Sequence, residues 1–479
     1  MSEEILINVT PQETRVAVVE NGVLQELHVE RNRSRGIVGN IYCGEVCRIL
    51  PGMQAAFVDI GLERAAFLQL AESKHGDAPV LLAQLHEGQK LVVQVLKDAL
   101  GTKGARLTTN ITLAARNLVY MPMTQHIGVS QRIGDDAERE RLKAVMRTVI
   151  DEDDAGGYIL RTVAETVSED ELRKDVRYLR KLWAAVQERL RAPAARSLIH
   201  EDLALSMRVM RDLIRDQVEK IRIDSRETFQ KVRDFAHEFV PDVEARIEYY
   251  PGERPIFDLY SVEDEIQRAL DRKVPLKSGG HLVIDQTEAM TTIDVNTGTY
   301  VGRKNLEETL FKTNLEAAQA IARQLRLRNL GGMIIIDFID MTGIEHRRQV
   351  LRALERSLAR DRVKVFVTEM SSLGLVEVTR KRTRESLEHI LCEPCPVCKG
   401  RGTLKTAETV CYEIFREILR EVRQFGTDQY LVIASQLVID RLLDDEAASL
   451  LNLQEFIGKP IQLQVEGLYH QDEFDVILM

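Results

Sequence analysis

Residues 290–341 decide the fold, and they read MTTIDVNTGTYVGRKNLEETLFKTNLEAAQAIARQLRLRNLGGMIIIDFIDM. Two short apolar runs, TTIDVN and GGMIIIDFID, flank a longer segment with apolar residues at helical spacing. The apolar residues of that segment are Leu306, Leu310, Ala317, Ile321 and Leu325. Asn305, followed by Glu308, is typical of a capping box at its start. A strand, a helix and a strand in this order predict a βαβ unit, whose two strands are neighbours in one sheet.

Short apolar runs also lie on both sides of this unit. The run LVIDQ precedes it and RVKVFVTEM follows it, and both have the length and composition of buried strands. Residues 271–391 are therefore predicted to form an α/β domain. Residues 403–479 form a further αβ segment, with a helix at YEIFREILREV and strands at QYLVIAS, IQLQVEGL and FDVILM.

Each strand of the βαβ unit carries an aspartate among apolar residues, Asp294 and Asp337. A buried carboxylate is costly unless it is paired, hydrogen-bonded or bound to a cation, and two on adjacent strands repel each other. Mg²⁺ is typically held by one or two carboxylates, with water and phosphate oxygens completing its shell. Asn296 lies on the same strand face as Asp294 and could orient a ligand, whereas Asp340 is interpreted as a cap or loop residue. A magnesium site and two helix-capping aspartates both fit this pattern.

The N-terminal region predicts two smaller β structures. Residues 1–35 contain short strands with Asn21-Gly22 between two apolar runs, which is a strong hairpin signal. This sheet is too small to be stable alone, and the strand in EARIEYYPG, within residues 206–270, is expected to complete it. Residues 36–109 contain about five short strands separated by glycines, which is the size of an OB-type barrel, a common binder of single-stranded nucleic acid.

Aromatic and basic residues in the predicted barrel suit an RNA-binding surface. Phe57 and Phe67 fall on neighbouring strands with Arg64 between them, and Lys103 lies in a glycine-flanked loop. Bases stack on aromatic rings, and basic side chains bind phosphates. The alternative is that both phenylalanines belong to the barrel core. Residues 110–205 follow, with strands at LVYMP and GYILRT and a long helix at DELRKDVRYLRKLWAAVQERLR.

At several of these segments the sequence resembles the ribonuclease E/G family. TEAMTTIDVNTG, NLEAAQAIARQLRLRNLGGMIIIDFIDM and CPVCKGRGT are similar to the family's patterns, in order, and the resemblance covers nearly the whole chain. The run RTRESLEHILCEPCPVCKGRGTLKTAETVCYEI and the absence of a long scaffold tail place it closest to the shorter branch of the family. The resemblance implies a magnesium-dependent endoribonuclease that cuts single-stranded, A/U-rich RNA and matures ribosomal RNA precursors and turns over messenger RNA.

The resemblance also implies a domain order and site residues. The domains would be an RNase H-like sheet (1–35 and 206–270), an OB barrel (36–109), a 5′-sensor region (110–205), a DNase I-like catalytic domain (271–391), a zinc link (392–402) and a small dimerisation domain (403–479). The matching positions are Asp294, Asn296 and Asp337 for catalysis, with Asp294 and Asp337 as magnesium ligands; Arg161, Thr162 and the backbone of Val119 for a 5′-monophosphate; and Phe57, Phe67 and Lys103 for RNA. An arginine fork suits a terminal phosphate, so monophosphorylated RNA should be preferred over triphosphorylated RNA.

Three of the six cysteines form CxxCxxC at Cys392, Cys395 and Cys398. Cys395 and Cys398, followed by Lys-Gly-Arg-Gly, resemble a zinc knuckle, but structural zinc needs four ligands. In the family two chains each contribute such a pair and share one zinc, so the resemblance implies a zinc-linked homodimer, which could pair into a dimer of dimers. Cys392 also makes the start of an iron–sulfur pattern, whose fourth cysteine is absent because residue 402 is glycine. An iron–sulfur cluster and inert thiols are the alternatives.

Composition excludes some classes of protein. Apolar residues make up 44% and charged residues 29%, and no apolar stretch is long enough to span a membrane. The N-terminus MSEEILINVT lacks the features of a signal peptide, so a cytoplasmic location is predicted. The net charge of -10 argues against broad nucleic-acid affinity. Arginines cluster around Arg326 and Arg382, however, and an acidic total with local basic patches suits an enzyme that holds RNA in a few places. The alternatives to the endoribonuclease are a non-catalytic RNA-binding protein and a metal-dependent nuclease or phosphatase acting on DNA or a small phosphate ester.

Overall fold

The computed structural model describes residues 2–69, 85–99, 104–150, 156–165, 167–214, 217–298, 306–382, 384–425 and 427–479. The strands are β1 Glu3–Val9, β2 Glu13–Glu20, β3 Val23–Arg31, β4 Ile41–Leu50, β5 Ala55–Asp59, β6 Ala66–Gln69, β7 Lys90–Lys97, β8 Arg106–Thr108, β9 Leu113–Ala114, β10 Leu118–Met121, β11 Ile127–Val129, β12 Gly157–Leu160, β13 Ser197–His200, β14 Val218–Ile223, β15 Ile247–Tyr249, β16 Lys273–Pro275, β17 His281–Gln286, β18 Met290–Asn296, β19 Gly332–Asp337, β20 Val365–Val367, β21 Leu375–Arg380, β22 Tyr430–Ala434, β23 Ile461–Val465 and β24 Phe474–Leu478.

The α-helices are α1 Asp136–Val149, α2 Glu169–Leu190, α3 Leu205–Arg208, α4 Arg226–Phe239, α5 Pro241–Glu244, α6 Val262–Arg268, α7 Leu306–Leu327, α8 Ile344–Leu358, α9 Leu387–Leu391, α10 Ala407–Gln424, α11 Gln436–Leu443 and α12 Ala447–Ile457. The chain divides into two compact units, residues 1–390 and 391–479. The fold is thus mixed α/β with several sheets. Within the described part of the chain, no helix has both the length and the apolar composition needed to cross a membrane.

The first sheet has the order β15-β14-β1-β2-β3. The hairpin between β2 and β3 turns at Asn21 (φ 50°) and Gly22 (φ 77°). Two consecutive residues with positive φ make the tight turn that matches strand twist, and Asn-Gly tolerates it, so the predicted hairpin is confirmed. Strand β15, Ile247–Tyr249, joins the sheet edge as expected for EARIEYYPG. The chain therefore leaves this sheet after β3 and returns to it at β14.

Strands β4, β5, β6, β8 and β7 form a closed ring, because β7 pairs back to β4. This is the predicted five-stranded barrel. Its interior is filled by alternating apolar residues, among them Val46, Val58, Leu68, Val93 and Leu107. A strand from much later in the chain, β13, pairs with β4 outside the ring, which the local sequence pattern did not indicate.

A third sheet, in the order β11-β12-β10-β9, is covered by α1 and α2. Leu142 and Met146 of α1 and Leu172 and Leu179 of α2 are fully buried against it. Helix α2 begins at a capping box, in which the Ser168 side chain accepts from the backbone of residue 171 and that residue's carboxylate reaches back. Strand β12 of this sheet is followed directly by Arg161 and Thr162, two residues of the predicted 5′-sensor.

The fourth sheet has the order β16-β17-β18-β19-β21-β20. Strands β18 and β19 pair in parallel and α7 connects them, so the predicted βαβ unit is confirmed. Helices α7 and α8 bury one face of this sheet, with Ala317 and Ile321 in its core. The predicted helix stripe was wrong at its start, because Leu306 is 71% exposed, and Asn305 lies outside the described residues. The opposite face of the sheet carries the aspartates.

The second unit contains a sheet in the order β23-β22-β24, as the C-terminal apolar runs predicted. Helices α10, α11 and α12 pack on it around fully buried side chains. Those side chains include Val410, Ile414, Ile418, Tyr430 and Val432. The amphipathic pattern of YEIFREILREV thus places one face of α10 in the core.

Candidate active site and RNA-binding surfaces

Asp294 and Asp337 lie side by side at the ends of the two parallel strands. They are direct partners in the register of β18 and β19. Both side chains are exposed, because the inward positions of these strands are taken by Ile293, Val295 and Ile336. The expectation that these carboxylates are buried was therefore wrong. What brings them together is strand register, not the cost of burial.

Neighbouring groups orient and polarise this pair. The Asn296 side-chain amide donates to Asp294 Oδ2 over 2.7 Å. Partial burial and then the charges of Asp294 and Asp340 raise the pKa of Asp337. Asp340 was interpreted as a cap or loop residue, and it lies in the loop beyond the strand end, where strand alternation no longer applies. Its influence on Asp337 was not evident from residue spacing.

The helix-capping alternative does not hold for α8. The N-cap of this helix is Gly343, which has no side chain that could cap the helix. The Glu307 carboxylate serves this helix end instead, accepting from Gly343 N over 2.9 Å and from the Thr342 hydroxyl. These hydrogen bonds, with His346 beside them, lower the pKa of Glu307 to about 2. Neither aspartate therefore caps α8.

The donor set fits magnesium better than a metal held wholly by protein. Among the described residues, no group of three or more His, Cys, Asp and Glu side chains could hold a metal ion. Mg²⁺ commonly takes one or two carboxylates and keeps several waters or phosphate oxygens. Two exposed carboxylates that repel each other, one of them oriented by an amide, meet this requirement. A cation between them would relieve the repulsion that, after partial burial, contributes to the raised pKa of Asp337.

The predicted sensor residues Arg161 and Thr162 follow β12 directly. The Arg161 guanidinium donates to Ala115 O and to Asp212 Oδ1, both over 2.8 Å. Burial would raise the pKa of Asp212, but the guanidiniums of Arg211 and Arg161 outweigh it and lower that pKa. Asp212 therefore holds Arg161 in place, and a phosphate would have to share or displace this ion pair.

Thr162 is exposed, and it lines a different cavity from Arg161, the other side chain of the predicted sensor. It lines a cavity of about 1080 Å³, together with Arg116 and Arg132. Its hydroxyl lies 2.9 Å from that of Ser130. Arg161 lines a neighbouring cavity instead, and Val119 is the middle strand residue between Ala114 and Ile159. The structure thus brings Arg161 and Thr162 to adjoining cavities, whereas Val119 lies within the sheet on β10 and is not among the described residues that line either cavity.

A buried carboxylate that the sequence did not single out supports the sensor strand. Asp175 of α2 accepts from Asn117 N over 2.8 Å, and Asn117 O accepts from Arg161 N over 2.8 Å. Burial raises the pKa of Asp175 to about 6, despite the hydrogen bonds from Asn117. Helical spacing alone gave no signal here, since an acid in a charged helix is usually on its exposed face.

Phe57 and Phe67 lie on the outer surface of the barrel. They are register partners on β5 and β6, and their ring centroids are 5.8 Å apart in an edge-to-face arrangement. Both are half-buried, and neither belongs to the apolar cluster inside the barrel. The alternative that they form the barrel core is therefore wrong. Lys103 lies outside the described residues.

The cysteine pair sits in a tight turn with thiolate-stabilising geometry. Lys399 N donates to Cys395 O over 2.8 Å, and Arg401 N donates to Cys398 O over 2.9 Å. Gly400 (φ 86°) and Gly402 (φ 74°) adopt left-handed conformations, and backbone N–H groups of residues 402 and 400 lower the pKa of Cys398. Cys395 is exposed and Cys398 half-buried, and thiolates are what zinc requires. Two thiols supply half of a tetrahedral site.

The arginine clusters are less exposed than the sequence suggested. Arg328 and Arg380 are buried, at 6% and 5% exposure. Arg323 donates to Leu24 O and pairs with Glu265. These side chains hold elements of the fold together, so the idea that these clusters are exposed RNA-holding patches is wrong for most of their arginines.

The comparisons with known proteins decide the family. The model of the "Ribonuclease E/G family" matches residues 112–383, more than half of the chain. The chain belongs to this family. It is 55% identical to ribonuclease G of Escherichia coli (strain K12) over the whole of both chains. It is 54% identical to ribonuclease G of Haemophilus influenzae over 99% of both chains. Ribonuclease E of Escherichia coli is 38% identical over 93% of this chain and 43% of its own.

The family assignment drawn from the motifs is thereby confirmed, and the protein is an enzyme of the ribonuclease class. Identity is higher to the ribonuclease G relatives than to ribonuclease E, in line with the resemblance to the shorter branch. The range matched by the family model includes the aspartate pair and Arg161. It does not include Phe57 or Cys395, which lie within the range covered by the whole-length relatives.

Proposed function

We propose that the protein is a magnesium-dependent endoribonuclease that cuts single-stranded, A/U-rich RNA, favours 5′-monophosphorylated substrates and acts in the cytoplasm on ribosomal RNA precursors and messenger RNA. The observation that carries this proposal is the register pairing of Asp294 with Asp337 on an open sheet face, with Asn296 bonded to one of them. Membership of the ribonuclease E/G family supports RNA as the substrate.

Asp294 and Asp337 would hold the magnesium ion. When bound there, the ion supplies Lewis-acid activation of the scissile phosphate and of water. Asn296 fixes the Asp294 carboxylate by its 2.7 Å hydrogen bond, so one ligand is oriented before substrate arrives. The negative potential of the pair, which Asp340 increases, favours a divalent cation over a lone water molecule.

The 5′ end of the RNA would be held by Arg161 and Thr162, with the backbone of Val119 behind them. A guanidinium and a hydroxyl at consecutive positions suit a terminal phosphate. In the structure Asp212 Oδ1 already accepts a hydrogen bond from Arg161 Nη2 over 2.8 Å. A monophosphate can share the guanidinium with this carboxylate, whereas the larger charge of a triphosphate is repelled by it more strongly. The preference for monophosphorylated ends follows from that arrangement.

The RNA strand would also cross the barrel at Phe57 and Phe67, with Lys103 contributing charge. Two half-buried rings on the outer barrel surface, 5.8 Å apart, offer faces and edges on which bases stack. Contacts remote from the metal position the strand, because fixing one end sets which phosphodiester reaches the carboxylates.

The domains would follow the family's order. The first sheet would be an RNase H-like domain in two parts, residues 1–35 and 206–270, interrupted by the OB barrel of residues 36–109 and the 5′-sensor region of residues 110–205. Residues 271–391 would be a DNase I-like catalytic domain. Cys395 and Cys398 in the link at 392–402 would share one zinc with a second chain, and residues 403–479 would complete a homodimer, with a dimer of dimers as a further assembly.

The test is cleavage of a 5′-monophosphorylated, A/U-rich RNA oligomer with magnesium by the wild type, Asp294→Ala and Asp337→Ala. The matched control is Glu377→Gln, an exposed acid on the same sheet whose register partner is Ile335. We expect the wild type and the control to cut, chelation to stop them, and both alanine variants to bind RNA with at least 100-fold slower cleavage.

Each other outcome selects an alternative. Equal cleavage by all four proteins would place the activity outside the aspartate pair and refute the metal site. Binding without cleavage by every protein, wild type included, would make this a non-catalytic RNA-binding protein. Equal cutting of matched DNA oligomers would indicate a less selective phosphodiesterase.

A further inference from the structure

A second cavity, distinct from the aspartate pair, is lined by six arginines. Its volume is about 420 Å³, which lies within the range of small-molecule sites. The six are Arg161, Arg208, Arg326, Arg362, Arg380 and Arg384. The acids lining it are Glu26, Asp212 and Asp361. Positive charge therefore exceeds negative charge on the wall, and we call this space the arginine cavity.

Each acid of the wall is already paired with one of the arginines. Glu26 pairs with Arg362 at 3.2 Å, and Asp212 pairs with Arg161 at 2.8 Å. Asp361 pairs with Arg380 at 2.7 Å. These pairs occupy half of the arginines. Among the described residues the other three make no ion pair with an acid of the wall, although the charge of Glu26 acts on both Arg326 and Arg384 and that of Asp361 on Arg326.

Of the remaining three arginines, Arg208 is paired with an acid outside the wall, whereas the hydrogen-bond partners of Arg326 and Arg384 are neutral. Arg208 pairs with Glu30, which lies outside the cavity wall, and its Nε is buried without a hydrogen-bond partner among the described residues. Arg326 donates to Ser357 O and Gln25 Oε1, which are neutral. An uncompensated guanidinium away from bulk water is costly, and an anion offsets that cost.

Arg384 is the clearest case, because its side-chain hydrogen-bond partner among the described residues is an imidazole. Its guanidinium donates to His28 Nδ1 over 2.6 Å, and His28 Nε2 lies 3.4 Å from Glu26 Oε2. The neutral ring satisfies both contacts by accepting from Arg384 and donating to Glu26. Burial and the Arg384 charge lower the pKa of His28 to about 4, so His28 stays neutral at pH 7 and adds no charge to the cavity wall.

Arg384 also keeps access to the cavity. Arg384 is exposed to solvent and lines the cavity. Desolvation by the neighbouring parts of the chain, opposed by the charge of Glu26 and assisted by the charges of neighbouring arginines, lowers the pKa of Arg384 to about 10. A guanidinium with one neutral partner retains donors for a ligand, since the group has five N–H donors in a planar fork.

We propose that the arginine cavity binds a small phosphate anion carrying at least two negative charges, with Arg384 and Arg326 as its principal charge partners and Arg208 Nε as an additional donor. Guanidinium forks match phosphate oxygens in pairs, which monovalent anions cannot use fully. The phosphate can come from a free nucleotide or from the end of an RNA chain. Arg161, which the proposed function assigns to the RNA 5′ end, lines the same cavity, so the inference extends that function; binding of pyrophosphate is measured without RNA cleavage, and the two proposals therefore fail separately.

The test is calorimetric titration of inorganic pyrophosphate into the whole protein at pH 7, in low-salt buffer without phosphate or sulfate. The variant is Arg384→Gln, and the matched control is Arg352→Gln, an exposed arginine of α8 outside the cavity. We expect saturable binding of one pyrophosphate by the wild type and the control, weakened about tenfold or more in Arg384→Gln. Equal affinity in all three proteins would mean an adventitious ion only, and absence of binding by the wild type would overturn the proposal.

Two further measurements complete the test. If Arg384→Gln does not fold, hydrogen exchange of the wild type with and without pyrophosphate replaces it: protection at residues 26–29 and 205–213 supports the site, and unchanged exchange there overturns it. Adenosine 5′-monophosphate and a 5′-phosphorylated RNA oligomer then identify the source of the phosphate. Whichever loses affinity in Arg384→Gln, but not in Arg352→Gln, is the ligand.

Discussion

Replacing Asp361 with alanine should destabilise the sheet of the aspartate pair by about 3–5 kcal/mol. Asp361 and Arg380 form an ion pair with side chains only 2% and 5% exposed. The Asp361 carboxylate accepts from Arg380 Nε over 2.7 Å and from Nη2 over 3.3 Å. Charge-assisted hydrogen bonds contribute about 1.5–3 kcal/mol each. After the change, Arg380 keeps only the neutral oxygens of Asn329 and Leu330, so its charge stays buried and poorly compensated.

Hydrogen exchange of the peptide spanning β21 measures this directly, because Arg380 ends that strand. A loss of about 3–5 kcal/mol accelerates exchange by roughly two to three and a half powers of ten. The control is Asp285→Ala, which removes the exposed Arg272–Asp285 pair on the same sheet and should cost under about 1 kcal/mol. Equal acceleration in both variants, or less than about fivefold in Asp361→Ala, would refute the reasoning. The double change Asp361→Ala/Arg380→Met should recover stability, since it removes the orphaned charge.

Three further changes probe single side chains. Asp175→Asn should remove a pH dependence: burial raises the pKa of Asp175 to about 6, so wild-type melting temperature should fall as pH rises from about 4 to 6, and the variant should not follow. Glu307→Gln should act in the opposite sense, because a pKa lowered to about 2 stabilises above pH 4.5 and is lost as pH falls below it; the variant should be less stable at pH 6 and similar near pH 2. Asp212→Asn should narrow the preference for monophosphorylated over triphosphorylated RNA by several-fold in competitive cleavage, since it removes the carboxylate beside Arg161; an unchanged ratio would contradict that role.

Local signals predicted the parts of the fold that depend on neighbouring residues. Asn21-Gly22 predicted the hairpin because its positive φ angles are rare elsewhere, and the two apolar runs around α7 predicted the parallel strands. The pairing of β13 with β4 had no such signal, since it joins segments about 150 residues apart. Long-range pairings of this kind are chosen by packing, which no local pattern records.

The sequence pointed to the aspartates of the candidate site but not to their exposure to solvent. Asp294 and Asp337 were recognised, yet they were expected to be buried because apolar residues surround them in sequence. In β19 both faces carry apolar residues, Ile335 outward and Ile336 inward, so alternation was hidden. Asp175 and Asp212 went unnoticed because their importance comes from partners 50 residues or more away, Asn117 and Arg161.

The split of the first sheet has a consequence for how the protein is made. Strand β1 pairs with β14, which leaves the ribosome about 200 residues after it. At ordinary synthesis rates of about 5–20 residues per second, one edge of β1 stays uncovered for on the order of 10 to 40 seconds. An unpaired strand edge invites pairing with other chains. During that interval, and in any chain halted before residue 218, this edge of β1 stays open to such pairing.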